Sequence, residues 1–226
     1  MVLQILSRRV VAEVVKTAGK SGKVEAAAGM ITIHGDPNSG NCLKVKWTAE
    51  RLAIPFRWID VDVVKAETRT PQFLALNPAG QVPIVVLDDG RVLAQSNAII
   101  LCLAEGSALI PADAYDRAKM FEWLFWEQYS HEPYVAVARF QMRYLGKSRG
   151  EIEPKIIQRG EAALERLDEA LAGRDFLIGA GLTLADIALV AYTRMAADGG
   201  FSLRDYPAVE AWVGRVETEL PIRDPR

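Results

Sequence analysis

The sequence predicts an α/β domain over residues 30–106 and an all-α domain over 115–226, joined by a linker at 107–114. Three observations support the division. Strand and helix signals alternate from Met30 to Leu103, every strong signal after Asp113 is helical, and loop-type composition marks 104–114. An alternating first half layers helices on a small mixed sheet, and a purely helical second half packs helix on helix.

The run Met30-Ile31-Thr32-Ile33-His34-Gly35 is β-branched and ends in a turn residue, so it reads as a strand. The loop from Asp36 to Asn41 opens a helix with Cys42, Val45, Ala49 and Leu52 along one face, ended by Ile54-Pro55. Phe56 to Val61 reads as a second strand. Thr70-Pro71 starts a short helix, Thr as cap and Pro at the first helical position, which stops at Asn77-Pro78-Ala79-Gly80. Residues 82–87 and 91–94 form a hairpin about Asp88-Asp89-Gly90, and Ser96 is expected to cap a helix running to Leu103. The second half gives a long aromatic helix over 118–144, interrupted by Pro133, then helices over 152–172, 183–195 and 207–219. The helix over 183–195 opens on Thr183-Leu184-Ala185-Asp186, a capping box with Leu182 and Ile187 as its hydrophobic staple.

Lys and Arg number 27 against 29 Asp and Glu, a net charge of −2, which removes the positive excess that nonspecific nucleic-acid binding needs. No apolar run approaches the ~18 residues of a membrane-spanning helix, so neither nucleic acid nor membrane is expected as a partner. The two cysteines suit a reducing compartment and a cytoplasmic location, and the two histidines show no metal-ligand spacing. Residues 1–29 stand apart, with Arg8, Arg9, Lys16, Lys20 and Lys23 against Glu13 and Glu25. A targeting presequence is one reading; an unstructured tail, or a gene start placed upstream of Met30, is the preferred one.

Three strand–loop–helix junctions carry chemistry. Pro37-Asn38-Ser39-Gly40-Asn41-Cys42 opens a helix whose unpaired N–H groups favour an anion, with the Ser39 hydroxyl and Asn41 amide as further donors. Plain capping by Asn38 or Ser39, worth ~1 kcal/mol, is the competing reading. Gln81-Val82-Pro83 enters a strand after a tight turn, where a cis bond before Pro83 turns the Val82 backbone outward toward an extended ligand. Gln95-Ser96 again places a hydroxyl and free N–H groups at a helix start, suited to a carboxylate.

In this order, Ser39, Gln81-Val82-Pro83, Gln95-Ser96 and the box at Thr183 resemble the cytosolic glutathione S-transferase family, in its serine-type, bacterial-like form. The resemblance runs from Ile31 to about Trp212 and implies a thioredoxin-like N-terminal domain with an all-helical bundle behind it. It implies glutathione as co-substrate, no metal, an electrophilic small molecule as second substrate, detoxification chemistry and a homodimer. Gln95 and Ser96 then hold the γ-glutamyl group, Val82 pairs with the cysteinyl unit beside cis-Pro83, and Gln81 meets the glycyl carboxylate. Ser39 stabilises the thiolate, with Asn41 as second catalytic candidate and Cys42 as the rival if the chain forms mixed disulfides. Cys102 reads as helix core. The acceptor site is expected between the domains, from among Trp123, Trp126, Tyr129, His131, Tyr134, Arg139 and Arg143. Alternatives within the fold are a glutathione-dependent peroxidase, thiol transferase or dehalogenase, and a glutathione-binding module without turnover.

Overall fold

The computed structural model describes residues 29–222; the reading of the N-terminal extension concerns residues outside them. Strand β1 (Ile31–Gly35) lies parallel to β2 (Phe56–Asp60) and antiparallel to β3 (Ile84–Val86), which pairs antiparallel with β4 (Val92–Ala94). The order β2-β1-β3-β4 puts β1 and β3 in the middle, and their Ile31, Ile33, Ile84 and Val85 are buried. Helix α1 (Gly40–Arg51) joins β1 to β2 as the crossover that parallel strands require. It packs on α3 (Ser96–Leu103), while Phe73 of the short α2 (Pro71–Leu76) packs with Val61 and Ile84.

The helical half holds α4 (Ala114–Trp126), α5 (Glu132–Arg143), α6 (Pro154–Leu171), α7 (Leu184–Thr193) and α8 (Pro207–Glu219). Every residue of α7 is buried, as expected of a helix apolar on all sides. It packs on α1, so a single core runs from Ile33 and Val45 through Ile100 and Leu124 to Ile187 and Trp212. The capping box forms as read: Thr183 N–H donates to Asp186 Oδ2 at 2.9 Å. Asp186 Oδ1 also accepts from Leu177 N–H at 3.0 Å and Trp212 Nε1 at 2.9 Å, which ties three segments to one buried carboxylate.

The structure differs from the sequence reading at three places. The long helix over 118–144 is two helices separated by a π turn at Glu127–His131. Proline at 133 has no N–H and its ring crowds the carbonyl four residues back, so one widened turn precedes it. Ser96 is the first residue of α3 and not its cap; Gln95 is the cap, at φ +71°. Cys102 is exposed, because α3 turns Ile99 and Ile100 to the core and leaves Cys102 on its outer side.

Candidate active site

The N-termini of α1 and α3, the loop before β3 and one face of α5 enclose a cleft of about 690 Å³. It brings together Ser39, Asn41, Gln81, Val82, Pro83, Gln95 and Ser96, all seven of the sequence candidates from the first domain. The Val82-Pro83 bond is cis. Gln95 holds a left-handed backbone, which costs a non-glycine residue on the order of 1–3 kcal/mol and is concentrated at ligand clamps.

Ser39 sits at the cap position of α1, yet its side chain makes no capping hydrogen bond. The turn before it is closed by Asp36, whose Oδ1 accepts the Asn38 N–H at 2.8 Å. The Ser39 hydroxyl lies beside the Cys42 thiol and the Tyr192 phenol. Tyr192 comes from α7 in the other domain and lays its ring on Gly40, where a Cβ would stand 2.9 Å from the ring carbons. Only glycine permits that approach. Burial holds the phenol above its ordinary range, so Tyr192 stays a neutral O–H donor. Burial likewise pushes the Cys42 thiol up to about 11, and it remains protonated at neutral pH.

Beneath the cleft runs a buried polar network. Lys44 and Glu127, both with fully buried side chains, form an ion pair at 2.9 Å. Lys44 Nζ also donates to Asn41 Oδ1 at 2.8 Å, and Ser96 Oγ donates to the same oxygen at 3.1 Å. With two donors on its oxygen, the Asn41 amide has one orientation, its amino group facing Glu132 Oε1 at 3.3 Å. Asn97 and Gln128 donate to Glu127 Oε2 at 3.2 and 2.8 Å.

His131 closes this region without entering the cleft. Thr193 spends its proton on the Leu189 carbonyl at 2.7 Å, so the ring must donate from Nε2 to Thr193 Oγ1, 3.0 Å away. Nδ1 is then a buried acceptor without a hydrogen-bond partner among the described residues. A protonated ring has nowhere to put that second proton, and burial pushes the pKa down to about 4. The unfolded chain takes the proton near pH 6.5, so this contribution to stability is full above about 6.5 and lost down to about 4. Over that window the wild type is expected to lose about 3 kcal/mol more than a His131→Gln variant. Urea midpoints measured against pH check this, and parallel curves would assign the loss to other groups.

Of the acceptor-site candidates, Arg139 lines the cleft and the others do not. Trp123 is core, Trp126 packs edge-on against it at 5.1 Å, and Tyr129 stands 83% exposed to solvent. Arg139 is buried and committed, Nε to Asp198 at 3.1 Å and Nη1 to the Asn38 carbonyl at 3.0 Å; Arg143 shares Asp198 at 3.5 Å. Asp198 thus neutralises part of the pair's charge, and Arg143 stays about half exposed. The cleft walls include Val64, Glu132, Phe140, Tyr144, Leu145 and Tyr192, which the sequence reading missed. The acid at 132 beside Pro133, inside an aromatic and apolar helix pattern, was the one local signal for any of them.

Comparison with known proteins gives the family. Residues 38–105 match the glutathione S-transferase N-terminal domain and 128–219 the C-terminal domain. Glutathione S-transferase 2 of Anopheles gambiae is 30% identical over 199 residues, spanning 85% of this chain and 92% of the relative. The crystal structure of a glutathione S-transferase from Pseudomonas fluorescens Pf-5 superposes with a TM-score of 0.80 at 43% identity, covering 83% of this chain and 94% of that one. Ure2p in complex with glutathione shares the fold, with a TM-score of 0.77 at 22% identity over 87% of this chain and 96% of its own. With both domains matched and relatives aligned along most of their length, the chain belongs to the glutathione S-transferase family and is a glutathione transferase.

Proposed function

We propose that the chain is a serine-type, bacterial-like transferase that holds glutathione along the floor of this cleft and presents its sulfur to Ser39. The observation that carries the reading is the convergence of Ser39, Gln81, Val82, Gln95 and Ser96 in one cleft from three separate stretches of chain. Ser96 and Gln95 take the γ-glutamyl carboxylate and amine, with the carboxylate replacing Asn41 as the Ser96 acceptor. The Val82 backbone pairs with the cysteinyl unit, and Gln81 meets the glycyl carboxylate. Asn41 turns its amino group toward the sulfur. The burial and raised pKa of Cys42 favour Ser39 over a mixed disulfide at position 42. Val64, Phe140 and Leu145, apolar yet exposed on the opposite wall, suit an apolar electrophile.

The protein acts as a cytoplasmic homodimer in this reading, with the exposed Phe125 and Tyr129 on the partner-facing surface; sedimentation at the mass of one chain would remove the dimer. Retention on immobilised glutathione and turnover of an electrophile panel test the function, and binding without turnover would leave a binding module. Ser96→Ala is expected to weaken glutathione by ~1.5–3 kcal/mol, the range for a charge-assisted hydrogen bond. Unchanged affinity by calorimetry would take Ser96 out of the site.

A further inference from the structure

We propose that Glu132 is the general acid of the conjugation reaction, giving its proton to the acceptor as the glutathione sulfur attacks. The site is then built for acceptors that gain a proton, namely epoxides and conjugated carbonyls. The proposal rests on the glutathione reading above.

Glu132 opens α5 directly after the π turn and lines the same cleft as Ser39 and Tyr192. Its Oε1 accepts the Asn41 amino group at 3.3 Å, and Lys44, donating to the Asn41 oxygen at 2.8 Å, holds that amide in place. The carboxyl is therefore fixed beside a residue two positions after Ser39, at the end of the cleft where the sulfur is placed. A structural ion pair does not account for it. Among the described residues no cation bridges Glu132, since Lys44 is spent on Glu127 and Arg139 on Asp198. A half-buried acid without a counter-cation costs stability unless it works.

Its surroundings favour the protonated form. Burial raises the Glu132 pKa and the Glu127 charge raises it further, while Lys44 and the Asn41 hydrogen bond act the other way. Tyr192 from α7 and Cys42 from α1 stay protonated and His131 stays neutral, so none of the three adds a charge; Asp36, Arg69 and Arg139 line the same cleft. A carboxyl shifted toward neutrality is matched to giving a proton there.

The step balances without any further reagent. The thiol proton leaves to solvent as the sulfur ionises beside Ser39. The thiolate forms the C–S bond while an epoxide C–O pair, or the conjugated π pair, moves onto oxygen. That oxygen takes the proton from Glu132, and solvent returns a proton to the carboxylate. Displacement of a halide differs, because halide and proton both leave to solvent and nothing needs to be reprotonated.

The test compares two acceptor classes on the full chain with glutathione: styrene oxide and an enal, which gain a proton, against chlorodinitrobenzene, which does not. Glu132→Gln is expected to lower kcat/KM for the first class by about 10²-fold, the scale of general acid catalysis. The loss with chlorodinitrobenzene should be at least about 10-fold smaller than the loss with the epoxide, and Glu132→Asp should restore part of the epoxide rate. With the epoxide, the wild-type rate should fall as pH rises through the Glu132 ionisation, and that limb should be missing in Glu132→Gln. Equal loss for both classes, no loss for either, or no wild-type turnover of either proton-gaining acceptor would overturn the proposal. A wild type that fails to bind glutathione in calorimetry fails the underlying reading instead, before any variant is made.

Discussion

Replacing Lys44 with Met is expected to cost the fold about 3–5 kcal/mol, the scale for stranding one charge of a buried pair. Lys44 and Glu127 have fully buried side chains 2.9 Å apart, one on α1 and the other in the π turn of the opposite half. Without the ammonium, Glu127 keeps two amide donors, from Asn97 and Gln128, but no compensating charge. For a chain of this size the midpoint of thermal unfolding should fall on the order of 10 °C. The double variant Lys44→Met/Glu127→Leu should regain most of the loss, because a buried pair replaced by apolar groups is close to neutral. Calorimetric melting of the three variants checks both statements. A single-variant loss under about 1 kcal/mol would mean that water reaches the pair. The same substitution removes one of the two donors that orient Asn41, so the stability network and the cleft share a residue.

That shared network shows what the sequence made legible. Signals that act within a few residues were readable: Thr70 capping at Phe73 N–H, the Thr183–Asp186 box, the hairpin about Gly90, and the junctions carrying Ser39 and Ser96. Each depends on an i to i+3 geometry or a strand–helix joint that neighbouring residue types specify. Contacts closed by tertiary packing were not readable. Lys44 reads as a solvated lysine until Glu127, 83 positions away, is folded against it. Tyr192 lies in a run that is apolar on every side, and only the approach of Gly40 brings its phenol to the cleft. The aromatic stripe of the long helix was misassigned because Pro133 inserts a π turn, which changes which residues after 126 face the first domain. Tyr129 falls inside the π turn and faces solvent, while Glu132, Ala136 and Phe140 of the helix after it line the cleft.

Ser39→Ala is expected to lower the rate of conjugation at neutral pH by an order of magnitude or somewhat more, with glutathione affinity little changed. A free thiol of pKa ~8.5 is only about 3% thiolate at pH 7. Lowering it by ~2 units requires ~2.7 kcal/mol of preferential stabilisation and raises the thiolate to roughly 75%, a gain of about 25-fold. The weaker base is also a poorer nucleophile, which takes back part of that gain. The Ser39 hydroxyl is free to supply this stabilisation, since it makes no capping hydrogen bond and the neutral Tyr192 phenol stands beside it. Loss of the hydroxyl should move the ascending limb of the pH–rate profile upward, toward the free thiol, because that limb reports the thiol ionisation. Cys42→Ala should leave the limb in place and cost mainly stability, since its side chain is fully buried and its thiol stays protonated to about pH 11. The two profiles together decide the assignment. An unmoved limb in Ser39→Ala with activity lost in Cys42→Ala would hand the chemistry to Cys42. Activity kept in both would hand it to Asn41, whose amino group Lys44 and Ser96 already turn toward the cleft.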